Sequence, residues 1–144
     1  MELRLGTFDA VAFLPGGSRF VVGTWNGTLE LRDAAAPQEE LGRFYDPAAS
    51  FVGNTMGLYA HSAGVHAVLV AGGLVWSGTD DNAGNGELRS WPIPGPGSSS
   101  PYGFTGLKRE VKSGVTSLAL LDDDLLLVGD RLGRLHVFVV GPRD

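Results

Sequence analysis

Residues 65–91 read VHAVLVAGGLVWSGTDDNAGNGELRSW. An apolar run, Val65 to Ala71, meets Gly72-Gly73, and a second apolar run, Leu74 to Gly78, follows at once. Two glycines between β-branched runs are a hairpin signal, because the tight turn needs positive φ. A polar, glycine-rich stretch then leads into Leu88 to Trp91, where a third strand fits. The period is two and the punctuation is dense, so this segment reads as a three-strand meander.

Two other segments have the same layout. Residues 9–33 read DAVAFLPGGSRFVVGTWNGTLELRD, and residues 115–138 read VTSLALLDDDLLLVGDRLGRLHVF. Each is an apolar strand, a turn, a second strand ending in glycine, a polar turn and a third strand. The anchoring glycines are Gly23, Gly78 and Gly129, separated by 55 and 51 residues. Fourth strands are expected near residues 40–44 or 50–59, and near residues 102–111. Residues 34–37 and the run PIPGPGSSSP at 92–101 read as loops.

Composition agrees with many short strands and turns. Of 144 residues, 22 are glycine and 8 proline, while 43% are apolar and only 19% charged. Glycine is roughly twice its average usage. It has no three-residue period, which excludes collagen, and the apolar share excludes a wholly disordered chain. No segment has the pattern of a long amphipathic helix. The net charge of −5 argues against a phosphate-backbone partner. With no cysteine there is no disulfide or thiolate site, which fits a cytoplasmic or other intracellular setting. No apolar stretch is long enough to span a bilayer, so no membrane partner is expected.

These residues resemble WD40 repeats, the blades of a class of β-propellers. The resemblance implies an all-β fold of antiparallel four-stranded blades, a three-bladed propeller segment spanning residues 1–144. The blades would lie near residues 9–60, 65–111 and 115–140. It also implies a buried hydrogen-bond relay in the second repeat made by His61, Ser77, Asp81 and Trp91. The first and third repeats depart from the family pattern. Arg32 and Phe138 stand in the Trp place, Asn26 and Leu132 in the Asp place, and Lys112 near the His place. Those two blades are expected to hold by packing instead of by a relay.

Three blades do not close a propeller, which has typically four to eight. A second copy could complete a six-bladed ring, with residues 2–5 supplying the outer strand of the partner's third blade. Alternatively, the missing blades come from a longer chain or from another protein.

His61, Ser77 and Asp81 also have the composition of a hydrolase triad. No Gly-x-Ser-x-Gly elbow surrounds Ser77, so the structural relay is the preferred reading and no catalytic residue is assigned. The acidic run at 80–87 fails the spacing of a calcium loop and reads as a turn insertion. His66 and His136 have no second ligand at zinc spacing, and no glycine motif for a nucleotide is present. No metal or cofactor is expected. The resemblance implies instead a non-catalytic scaffold for a protein or peptide partner, bound at the turn residues Trp25, Asp80 and Arg131. The alternatives are an architectural subunit of a larger assembly and a small-ligand-binding or hydrolytic propeller.

Overall fold

A computed structural model describes residues 8–50, 57–122 and 124–140. The expected strand at residues 2–5 lies outside them. Among the described residues the fold is all-β, with twelve strands and no helix; none is therefore long and apolar enough to cross a membrane.

The strands form three sheets in chain order. The first contains β1 (Phe8–Phe13), β2 (Arg19–Thr24), β3 (Leu29–Asp33) and β4 (Ala36–Tyr45). The second contains β5 (Gly64–Ala71), β6 (Leu74–Asp80), β7 (Asn85–Pro92) and, after the two-residue β8 (Tyr102–Gly103), β9 (Lys108–Lys112). The third contains β10 (Val115–Leu121), β11 (Leu125–Asp130) and β12 (Leu135–Val139). Pairing is antiparallel throughout except for β8. That strand leaves the second repeat and pairs in parallel with β4, Phe44 opposite Tyr102. The reason is aromatic: Tyr102 packs its ring at 5.3 Å on Phe44, and Phe104 at 5.0 Å on Trp91. The fourth strand of the second sheet is thus β9 alone. β4 also starts earlier than the small residues at 34–37 suggest.

The Gly72-Gly73 turn joins β5 and β6 with φ of 61° and 76°, values open to glycine at little cost. Elsewhere the repeats share finer detail. The residue after each anchoring glycine fixes the following turn with its side chain. Thr24 Oγ1 accepts from the Thr28 amide (3.2 Å), Thr79 Oγ1 from the Glu87 amide (3.0 Å), and Asp130 Oδ1 from the Arg134 amide (2.8 Å). One hydrogen bond is thus made at the same place in all three units, although the middle turn is longer.

The sheets stack on one another by one rule. β5 packs on β1 and β2, and β10 packs on β5 and β6. Gly23 and Gly78 make this possible: a Cβ on Gly23 would collide with the Val65 side chain, and one on Gly78 with that of Val115. Between the first and second sheets lies a core of Val21, Leu29, Leu31, Phe44, Val65, Val75 and Trp91. Between the second and third lies another of Ala67, Trp76, Leu88, Val111, Val115, Leu126 and Val128.

Candidate functional site

Strand alternation decides which side chains of β6 and β7 meet. Ser77 pairs in register with Arg89, and Val75 with Trp91, so these side chains share one face of the second sheet. Glu87 precedes Arg89 by two and joins them. His61 enters from the segment before β5, held by a backbone bond from its amide to the Gly27 carbonyl (3.2 Å).

The result is a buried hydrogen-bond chain. Trp91 Nε1 donates to Ser77 Oγ at 2.9 Å, and Ser77 Oγ lies 2.6 Å from His61 Nε2. His61 Nδ1 lies 2.8 Å from Glu87 Oε1. His61, Ser77 and Trp91 are all fully enclosed. A carboxylate accepts only, so Nδ1 carries the ring hydrogen and Nε2 accepts the Ser77 proton. Burial holds the His61 pKa below its ordinary value, against the pull of Glu87, so the ring is neutral. Burial acts to raise the Glu87 pKa. The bond with His61 and the charge of Arg89 outweigh it and bring the carboxyl down to about 2.

Three of the four expected relay residues therefore meet, and Asp81 does not. It is exposed at the start of the turn insertion, where its carboxylate accepts from the amides of Ala83 (2.7 Å) and Asn85 (3.0 Å) and from Asn85 Nδ2 (3.0 Å). Those bonds fold the extra residues into a local turn, and they hold the Asp81 pKa below its ordinary value. The insertion carries Asp81 away from His61, and Glu87 takes its place. Glu87 had one signal in the sequence: it alternates with Arg89 and Trp91 along a strand. Arg89 extends the chain, bonding Glu87 Oε1 through Nε (2.6 Å) and Asp46 through Nη1, with its guanidinium 4.7 Å from the Phe104 ring centre. Asp46, beyond β4, thereby ties the first repeat's tail to the second sheet.

The other sheets do not rely on packing alone. Arg32 and Phe138 occupy the register position of Trp91, opposite Phe20 and Leu126. Arg32 Nη2 donates to Glu30 Oε1 (2.7 Å), Thr28 Oγ1 donates to Glu30 Oε2 (3.0 Å), and Thr24 and Thr28 share a hydroxyl bond (2.6 Å). In the third sheet Asp130 Oδ2 gathers Arg134 Nε (2.8 Å) and His136 Nε2 (2.7 Å). Burial opposes ionisation of Asp130, but these bonds prevail and lower its pKa. Each sheet thus has its own polar network, built from different residues. Alternation along β3 (Glu30, Arg32) was the available signal for the first; the short Asp130–His136 spacing was the signal for the last.

The three turn residues differ in accessibility. Trp25 is half exposed, and the Arg131 side chain is 47% exposed. Asp80 is buried; it accepts from the Asn82 amide (2.8 Å) and faces Arg131 Nη1 at 3.5 Å. Asp80 and Arg131 therefore face each other across the second and third sheets, with Asp80 only 7% exposed. A shallow depression of about 370 Å³ lies beside the relay, walled by Thr79, Asp81, Glu87, Glu110 and Lys112. Among the described residues no group of His, Asp or Glu is placed to hold a metal ion. No protein-family model matches the chain, and no curated protein matches it.

Proposed function

We propose that the three sheets are WD40-like propeller blades and that the chain is a non-catalytic interaction scaffold. Its partner would be a protein or peptide, held at the turn end of the sheets by Trp25 and Arg131.

One observation carries the non-catalytic part. Ser77, His61 and Glu87 have the connectivity of a Ser-His-acid triad, yet the Ser77 hydroxyl is fully enclosed and already accepts the Trp91 indole N–H. A nucleophile must reach a substrate carbon, and this one faces protein on every side. The same types of residue in a sealed pocket act as a brace for the sheet. Support for blades comes from the glycine–valine contact made twice and the turn hydrogen bond made three times. Trp and Arg are the residue types that dominate interface energies, and both stand exposed on the polar turns.

The test is selection from a random peptide library on the immobilised chain. The expected outcome is a recurring peptide whose affinity falls about tenfold or more in Trp25→Ala and Arg131→Ala. It should be unchanged in Asp81→Ala. A library with no enrichment would overturn the scaffold reading. So would a hydrolytic activity that disappears in a folded Ser77→Ala protein.

A further inference from the structure

The sequence has two Asn-Gly steps, Asn26-Gly27 and Asn85-Gly86. Such a step is chemically weak wherever the chain can bend. The glycine nitrogen, unshielded by a side chain, attacks the asparagine side-chain carbonyl carbon and closes a succinimide ring. The two steps differ in what holds them.

Asn26-Gly27 is locked from several sides. The Gly27 amide donates to the Thr24 carbonyl (3.2 Å), and the Gly27 carbonyl accepts from the amides of Ala60 (3.1 Å) and His61 (3.2 Å). Asn26 Oδ1 accepts from the Thr24 hydroxyl. Gly27 is buried against the backbone of His61 and Ala63, so this peptide cannot rotate without parting the first sheet from the segment that leads into β5.

Asn85-Gly86 is held mainly by one residue. Asn85 is exposed and opens β7, and the end of a strand is where a sheet frays most readily. Its backbone amide donates to Asp81 Oδ1, its side-chain amide donates to Asp81 Oδ2, and its carbonyl accepts from the Asp81 amide, each at 3.0 Å. The other restraint is the ladder with β9, where Asn85 stands opposite Lys112 and Gly86 opposite Val111. Asp81, Asn85 and Gly86 all line the depression beside the relay, so water reaches the step.

We propose that Asn85-Gly86 is a deamidation site and that Asp81 is the residue that restrains it. When the start of β7 parts from Asp81 and from β9, the Gly86 nitrogen bonds to Asn85 Cγ. Its proton ends on the leaving nitrogen, the Cγ–Nδ2 bond breaks and ammonia departs. Water then opens the imide at either carbonyl and leaves aspartate or isoaspartate. The sum is one water taken up and one ammonia released, with no oxidant, reductant or enzyme.

The product does not fit the turn that held the amide. The donor to Asp81 Oδ2 has become an acceptor, so two carboxylates meet where a hydrogen bond stood. Lys112, directly opposite on β9, draws the new charge the other way. Isoaspartate also lengthens the backbone two residues before Glu87, the acidic end of the relay. The turn thus closes over an amide and opens over an acid. Neither Trp25 nor Arg131 is involved, so the proposal stands apart from the scaffold reading.

Peptide mapping by mass spectrometry tests this on the full chain held for days in mildly alkaline buffer. Acid should accumulate slowly at Asn85 and not at Asn26. In Asp81→Ala the rate at Asn85 should rise about threefold or more, with Asn26 unchanged. If circular dichroism shows that variant unfolded, Asp81→Ser takes its place. In urea the two steps should convert at similar rates, because only the fold sets them apart. Acid that forms in the folded chain as fast at Asn26 as at Asn85 overturns the proposal. So does an Asp81→Ala chain that converts no faster than the wild type, or a gap between the two steps that persists in urea.

Discussion

Ser77 Oγ lies 2.6 Å from His61 Nε2, with both residues fully out of reach of solvent. Their contact joins two parts of the chain 16 residues apart, the segment leading into β5 and the centre of β6. The proton direction along the chain is fixed at both ends, since the Trp91 indole only donates and the Glu87 carboxylate only accepts. Every member is therefore satisfied, and among the described residues no buried side-chain polar atom lacks a partner. A buried polar chain in that state stabilises one arrangement of strands and penalises alternatives.

Ser77→Ala leaves the Trp91 N–H and His61 Nε2 buried without partners. At about 1–3 kcal/mol for each orphaned group, the expected loss of stability is about 2–6 kcal/mol. Trp91→Phe keeps a ring against Phe44 and Phe104 (5.5 and 5.0 Å from the Trp91 ring) but loses both the donor and the volume of the indole's second ring at a fully buried site, so about 2–3 kcal/mol is expected. Urea unfolding followed by fluorescence or circular dichroism measures the first, and circular dichroism the second. A Ser77→Ala protein as stable as the wild type would show that the buried hydrogen bonds contribute nothing to the fold.

Glu87 and Asp81 separate cleanly as the acidic end of the chain. Glu87→Ala strips the partner from His61 Nδ1 and from Arg89 Nε, for an expected loss of about 2 kcal/mol or more. Asp81→Ala removes only exposed turn bonds and should cost less than about 1 kcal/mol. Thermal and urea unfolding of the two variants side by side decides the order. The reverse order would place Asp81 in the relay.

The period-two pattern and the glycine punctuation made most strands legible. β2, for instance, spans Arg19–Thr24, as the β-branched run after Pro15-Gly16-Gly17 indicates. The relay was legible only where its members sit at fixed places in a regular strand, as Ser77 and Trp91 do. Asp81 failed because an inserted turn moves a side chain through space without changing its place in the pattern. β8 failed because two aromatic contacts, Tyr102 on Phe44 and Phe104 on Trp91, draw it to a sheet distant in sequence. Neither effect is local, so neither leaves a periodic trace.

Gly78→Ala tests the stacking of the second and third sheets. Gly78 does not have positive φ, so backbone strain is not at issue and the penalty comes from the Val115 side chain in the way. Overpacking of this kind costs about 1–3 kcal/mol. Trimming the neighbour should relieve it: Gly78→Ala with Val115→Ala should lose less than the two single variants summed, by about 0.5 kcal/mol or more. A double-mutant cycle by urea unfolding gives that coupling. Strict additivity would mean that the two residues do not meet.

The pH dependence follows from the two ends of the His61–Glu87 pair. His61 has an ordinary pKa of 6.5, lowered in the fold by burial. The unfolded chain therefore binds a proton that the folded one refuses, so stability is full above pH 6.5 and falls as the pH drops below it. Glu87 has an ordinary value of 4.5 and a folded value of about 2. Its contribution is full above 4.5 and is lost as the pH falls from there towards 2. The unfolding midpoint should thus decline in two stages, first as the pH drops below 6.5 and again below 4.5. His61→Gln should flatten the first stage relative to the wild type. Glu87→Gln should reduce the second without abolishing it, because Asp46, Asp81 and Asp130, also lowered in the fold, lose their contributions in the same acid range. If His61→Gln keeps the full wild-type slope just below pH 6.5, the buried imidazole is not the group that titrates on unfolding.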